Sequence, residues 1–388
     1  MQKVFFTGTH RVRTPEETYE SIRPLLRDYG ITRLADVTGL DIIGIPVVMA
    51  VRPLATTLSV SQGKGATLLL AKISGAMEAV ELWHAENAVP APGLLDTPSS
   101  ELDLPYEIKE LAGMRGSLLT ERTRLDWIQA VDLVERTSVP VPRGAVRMGH
   151  PPADWRVPAF MESSNGLASG NTVAEATVHA LYEVIERDAV HALRGVPASS
   201  RRYIDPASVS DDHCAELVER VSRAGAWLEI EYVPNRMGVP CVVAHLWHED
   251  SPASVMFGAG AHADPPVALS RAVTEAVQAR LTHITGTRDD LASAAYRPVH
   301  LPRPVTPGPL EAWDRVKSTV PGAHFATDTE EADRLAERIG AVTGSSPLRV
   351  VLADRDEFAV VKVLCPGTRQ TLHSSVRAEA ETRGEGAA

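Results

Sequence analysis

The amino-acid sequence predicts an α/β protein with mixed sheets, of the α+β kind. Three observations point there. Short apolar runs with strand character, at residues 32–37, 43–51 and 127–133, alternate with stretches of helical periodicity at about 67–86 and 172–194. Both helical stretches are entered through small, polar, glycine-containing loops. Hydrophobic residues make up 44% and charged residues 23% of a 388-residue chain, enough to bury a substantial core.

The elements follow in order. Thr14-Pro15-Glu16-Glu17 reads as a helix start, with an N-cap threonine, proline at the first helical position and acids in the first turn. That helix runs through Leu26 and ends near Gly30. The strands 32–37 and 43–51 come next, followed by Ser61-Gln62-Gly63-Lys64-Gly65 as a polar loop leading into the helix 67–86. A proline-rich surface connection, 90–105, precedes the strand 127–133, and 140–143 is a turn. A second polar loop, 163–171, opens the long helix 172–194. Residues 201–264 read as βαβ, 264–286 as a helix, 298–309 as a second proline-rich connection and 317–363 as β-α-β. The expectation is a single domain over 1–372, with sub-regions 1–90, 106–265 and 266–372, and a disordered tail over 373–388.

Fifty acidic residues against 39 basic ones give a formal net charge of −11, the reverse of a nucleic-acid binder. No apolar run approaches membrane-spanning length, and the opening Met1-Gln2-Lys3-Val4-Phe5-Phe6 turns polar too soon for a secretory signal. A cytoplasmic protein is expected. The three cysteines form no CxxC pair and read as buried rather than nucleophilic. His245 and His248 sit in an apolar, strand-like segment, which favours a two-sided strand over a metal site.

The helix after Asn171 is unusual. Counted from Glu175 at about 100° per residue, His179 falls near 40°, Glu183 near 80° and Glu186 near 20°, with Arg187 at the edge of that face. Ser74, Glu78 and Glu81 of the earlier helix lie within about 60° of one another, and Arg271, Glu275 and Gln278 share a stripe on a third helix. Like charges on one face repel unless solvent, arginine or a divalent cation compensates them. Two readings stand side by side: solvated surface faces, or a magnesium–nucleotide site. The glycine-containing loops at the helix starts and the nearby Arg187, Arg271 and Arg280 favour the second. Neither a P-loop nor a dinucleotide fingerprint is present.

The ordered run Ser74-x3-Glu78-x2-Glu81, Asn171-x3-Glu175, Glu183-x2-Glu186-Arg187 and Arg271-x3-Glu275 with Gln278-Ala279-Arg280 resembles the ATP-binding signature of the YcaO family. The stretches 30–41, 61–65 and 258–262 look like family sequence as well, and the resemblance spans about 8–367. It implies a YcaO-type fold whose carboxylate-bearing helices line an ATP site. It also implies an enzyme that uses ATP and Mg2+ to phosphorylate a backbone amide oxygen of a ribosomally made precursor peptide. Carried over by motif, Glu78, Glu81, Glu183 and Glu186 are the magnesium ligands, supported by Glu175. Arg187 and Arg271 face phosphates, Glu275 positions the nucleotide, and Ser74, Asn171, Gln278 and Arg280 complete the ATP set with the N-terminal pair Arg11 and Thr18. Leu82 departs from the arginine that many members carry after the second glutamate.

The nucleophile is less constrained. The stretch 74–86 looks most like members that work with a TfuA-type partner and are associated with thioamides, which implies a sulfide donor. Azoline-forming cyclodehydratase activity and amidine formation remain alternatives, although the sequence lacks the PxPxP tail common in azoline formers. A non-catalytic peptide-binding scaffold is the alternative of another class, and a homodimer is left open. The complete acid set argues for catalysis.

Overall fold

The structure, a computed structural model, describes residues 2–6, 8–111, 118–149, 159–250, 255–288, 302–319 and 322–369. The expected tail, 373–388, and the first four residues of the second proline-rich connection, 298–301, lie outside them.

A hairpin of β1 (Val4–Phe6) and β2 (Thr9–Arg11) opens the chain, followed by α1 (Pro15–Ile22). Thr14 caps α1 in a full capping box with Glu17, as its sequence predicts. β3 (Arg33–Asp36), β4 (Val47–Val51) and β5 (Val60–Lys64) form an antiparallel meander, and α2 (Leu68–Asn87) packs on it. β6 (Leu94–Pro98), β7 (Arg124–Asp132) and β8 (Ser138–Pro142) follow, then β9 (Leu167–Gly170) and α3 (Val173–Leu193). β10 (Arg202–Ile204), α4 (Asp212–Arg223), β11 (Trp227–Tyr232), β12 (Cys241–Trp247) and β13 (Met256–Ala261) lead into α5 (Pro265–Thr285). β14 (Leu310–Glu311), α6 (Trp313–Thr319), α7 (Asp328–Thr343), β15 (Leu348–Asp354) and β16 (Ala359–Leu364) complete the described chain.

Two larger sheets run β13-β12-β11-β10-β14 and β6-β7-β15-β16-β9, with β8 paired to β7. β10–β14 is a parallel pair in an otherwise antiparallel sheet, so the expected mixed sheets are present. No helix among the described residues is long and apolar enough to cross a membrane.

Several local expectations change. Residues 61–65 and 163–171 are not simply loops, because β5 and β9 occupy most of the first and the end of the second. Their glycines serve helix–strand packing. A Cβ on Gly63 would stand 2.0 Å from the Gly75 nitrogen of α2, and one on Gly170 2.5 Å from the Ala176 nitrogen of α3. Gly258 and Gly260 of β13 meet α5 in the same way, with Ala272 and Ala268 carbonyl oxygens at 2.2 and 2.1 Å. The strand expected over 43–51 begins only at Val47, since Gly44 takes φ +74° and Pro46 has no N–H to donate. The turn at 140–143 and the connection at 90–105 contribute to β8 and β6. Residues 317–363 hold two helices and an antiparallel strand pair rather than β-α-β.

Candidate active site

The three close strand–helix pairs bring α2, α3 and α5 together, and their acidic faces turn inward. α3 is no surface helix, because Glu175 is 2% and Glu186 8% exposed. Glu78, Glu81, Glu183 and Arg187 are half-buried. The reading of these faces as solvated does not hold.

Glu81 of α2 accepts from the Ser169 backbone N–H at 2.8 Å and from its hydroxyl at 2.6 Å, which ties α2 to β9. Glu186 of α3 accepts from the Ala261 N–H at 3.2 Å, at the end of β13. Burial pushes the Glu78 carboxyl up to about 7, with Glu183 and Glu275 adding to the shift and Arg288 and Lys64 opposing it. Burial likewise takes Glu81 to about 8, with Glu78 and Glu183 adding to the shift. Burial and Glu275 take Glu186 to about 7, against the pull of Arg271 and Arg187. Carboxylates from two helices therefore share one poorly solvated space and repel each other.

Basic groups stand among them. Arg187 donates to Glu183 at 2.9 Å, and Lys64 of β5 is ion-paired with Glu275 of α5. The Arg271 guanidinium donates to the His179 ring at 2.6 Å. Burial holds that imidazole well below its usual range, so it is neutral and can accept. His179 also bonds the Ser169 backbone, so Ser169 connects the Arg271–His179 pair to Glu81.

A second group gathers at the start of α3. Glu175 accepts from the Val12 N–H at 3.0 Å and from Asn171 N at 3.1 Å, with Arg11 Nε at 3.6 Å. Thr18 donates to Asn171 Oδ1 at 2.9 Å. Arg11, Thr18, Asn171 and Glu175, far apart in sequence, thus meet at one point. Gln278 donates to the Gln62 carbonyl at 3.3 Å, and Ser74 shares the stripe of Glu78 and Glu81.

Arg280 is the residue that the structure does not bring in. It is 3% exposed, donates to Asp41 at 3.0 Å and to Asp250 at 2.9 Å, and lies about 140° around α5 from Glu275. Its role is to pin α5 to the 38–41 turn and to Asp250. Leu82 is buried in the apolar cluster behind α2, where an arginine has no place. Lys64 and Ser169 lie in the loops expected to lead into the site but were not named as site residues, and Lys362, which stands beside it, was not expected there. The sequence does carry a signal for Lys362, a single charge in the otherwise apolar strand Ala359–Leu364. His245 lies in β12 with Glu229 at 3.5 Å, and the cysteines are buried, as expected.

A family model described as YcaO cyclodehydratase, ATP- and Mg2+-binding, matches residues 62–369. The chain belongs to the YcaO family. An uncharacterised protein of Mycobacterium tuberculosis is 38% identical over 374 residues, covering 93% of this chain and 82% of its own. An uncharacterised protein in the tfuA 3' region of Rhizobium leguminosarum bv. trifolii is 36% identical over 376 residues, covering 92% and 88%. Among solved structures, YcaO from Methanopyrus kandleri bound with AMPPCP and Mg2+ matches with a TM-score of 0.70 at 24% identity, covering 97% of this chain and 99% of that one. A heterocyclase in complex with substrate and cofactor matches with a TM-score of 0.73 at 21% identity, covering 93% of this chain. The chain spans about half of that heterocyclase, 53% of its length. At these identities the structural matches speak for a YcaO fold.

ATP and Mg2+ are thus the family's cofactors, and the donor set fits them. Among the described residues no three His, Cys, Asp or Glu side chains close around a single point. Magnesium in nucleotide sites rarely needs that, since one or two carboxylates and the phosphates share its octahedron. Enclosed, mutually repelling carboxylates flanked by arginines suit such an ion.

Proposed function

We propose that this ATP-dependent YcaO enzyme phosphorylates a backbone amide oxygen of a ribosomally made precursor peptide, and that sulfide then replaces the oxygen to give a thioamide. One observation carries the catalytic reading. Burial raises Glu78 and Glu81 of α2 and Glu186 of α3 to about 7, 8 and 7, with Glu183 and Glu275 adding repulsion from the facing helices. Burying three such groups is costly without a compensating cation.

Glu78, Glu81, Glu183 and Glu186 hold the magnesium in this reading, and Arg187 and Arg271 face the phosphates. Arg11, Thr18, Ser74, Asn171, Glu175, Glu275 and Gln278 frame the nucleotide. From Glu175 to Glu186 is eleven residues of helix, about 16 Å, so a nucleoside triphosphate laid along α3 reaches both groups. Bound Mg2+ and ATP supply a phosphoryl group with its charge neutralised. Amide activation makes chemical sense because an amide oxygen leaves poorly until it is phosphorylated.

Support for sulfide comes from the tfuA-region relative, which suggests a TfuA-like partner and a sulfide donor. The family description, cyclodehydratase, favours azoline formation as the second reading. Two measurements separate these outcomes. Phosphate release from ATP with Mg2+ and peptide tests the activation step, and Glu186→Gln matching wild type at zero turnover would point to a scaffold. Mass spectrometry of a precursor peptide co-expressed with the chain reads the nucleophile. A gain of about 16 Da means thioamide, and a loss of about 18 Da means azoline or macrocyclic amidine.

A further inference from the structure

A small cavity, open to solvent at its mouth, lies between the segment 159–165, β16 and α3. Ser163, Asn165 and Lys362 give it a polar wall, and Phe160, Met161 and Val184 an apolar floor. None of these residues is used in the nucleotide site described above.

Lys362 is 2% exposed in a strand whose other residues are apolar. Its ammonium donates to the Ser163 carbonyl at 2.6 Å. Burial lowers its pKa to about 8, while the nearby Glu183 favours the charged form. The strand register fixes where it stands. Lys362 is opposite Leu167 and Val360 is opposite Ser169, so Lys362 and Ser169 share a face of the β9–β16 pair. Diagonal partners of this kind are about 7–8 Å apart, and Ser169 is the residue that holds Glu81. The cavity therefore adjoins the carboxylates.

Asn165 adds an independent observation. It is 6% exposed, and its Oδ1 has no hydrogen-bond partner. A buried acceptor left unpaired is costly, and a ligand N–H at this position would complete it.

We propose that this cavity is the subsite for the peptide segment carrying the reacting amide, with Lys362 Nζ donating to a substrate carbonyl oxygen and Asn165 Oδ1 accepting from a substrate N–H. The inference rests on the amide-activating reading above and deepens it. One donor, one acceptor and an apolar floor match the C=O, N–H and side chain of an extended peptide. A phosphate would ask for several donors and would meet the Asn165 oxygen unfavourably. Cys365 also lines the cavity, but burial pushes its thiol up, away from the thiolate form.

The test begins with selection of end-capped linear peptides from a displayed random library on the wild-type chain, with Mg2+ and a non-hydrolysable ATP analogue. A fluorescein-labelled winner is then titrated by anisotropy. Asn165→Ala and Lys362→Met are each expected to weaken binding about tenfold. Binding within twofold of wild type in Asn165→Ala overturns the proposal, and so does failure to select any peptide. Asn165→Ala removes a side-chain amide whose oxygen has no partner in the free protein, so it decides the matter even if Lys362→Met does not fold. A lowered melting temperature with unchanged affinity means a structural role only and also overturns it. Phosphate release by wild type with the same peptide keeps the two readings separate. Weakened binding in the variants with no release by wild type upholds the subsite and removes the activity, and the converse removes the subsite alone.

Discussion

Ser169 grips one oxygen of Glu81 twice, through its hydroxyl at 2.6 Å and its backbone N–H at 2.8 Å. The second carboxylate oxygen is thereby aimed by a strand, not by a freely rotating side chain. Ser169→Ala keeps the backbone bond and loses the hydroxyl bond. We expect the Mg2+ concentration for half-maximal phosphate release to rise about tenfold, the scale of a hydrogen bond to a charged group. Glu81→Gln should abolish release. A Mg2+ titration of Ser169→Ala that overlays wild type would falsify the positioning role.

The raised pKa values of Glu78, Glu81 and Glu186 give the metal-free protein a definite pH dependence. Unfolded, these carboxyls ionise near 4.5; folded, at about 7, 8 and 7. Between those limits the folded chain holds more protons, so their contribution to stability is full below pH 4.5 and is lost as pH rises through 7 to 8. Melting without Mg2+ should fall from pH 6 to pH 8.5, and the stabilisation by Mg2+ and ATP should grow over the same range, because binding displaces protons. A Mg2+–ATP effect independent of pH counts against a cation at these acids.

Glu175 accepts from the Val12 and Asn171 N–H groups and is ion-paired with Arg11 at 3.6 Å. Glu175→Gln turns one accepting oxygen into a donor facing N–H groups. A loss of about 2–3 kcal/mol in denaturant unfolding is expected, together with a higher KM for ATP. Unchanged stability would mean that the segment around Val12 docks by other contacts.

Gly63 lies against α2 so closely that a Cβ would meet the Gly75 nitrogen at 2.0 Å. Gly63→Ala therefore has to push backbone apart. We expect destabilisation of about 3 kcal/mol and loss of Mg2+-dependent activity, since α2 carries Glu78 and Glu81. Wild-type unfolding in urea would show that β5 and α2 tolerate separation.

Arg280→Gln distinguishes support from contact. The residue bridges Asp41 and Asp250 and faces away from Glu275. Its loss should lower the melting temperature by several degrees and leave the KM for ATP within about twofold. A tenfold KM change at unaltered stability would return Arg280 to the nucleotide site.

The sequence by itself determined the helices and their acidic faces. Thr14 and Glu17 build their box locally, and the angles among Glu175, Glu183 and Glu186 follow from helical geometry alone. Local rules also set the caps at Thr67 and Thr172, one residue before their helices begin. Whether those faces meet water or one another is a question of long-range packing, and only the tertiary structure decided it. Gly63 and Gly170 read as loop residues because glycine marks turns in a single chain. In the fold they are the places where a strand lets a helix come close, and the missing partner was the helix itself. Arg280 looked like a phosphate ligand beside Gln278, yet Asp41 and Asp250, remote in sequence, claim it. Lys362 is the converse case. Its charge in an apolar strand was visible, but its place beside the Ser169–Glu81 pair depends on the β9–β16 register, which no local pattern encodes.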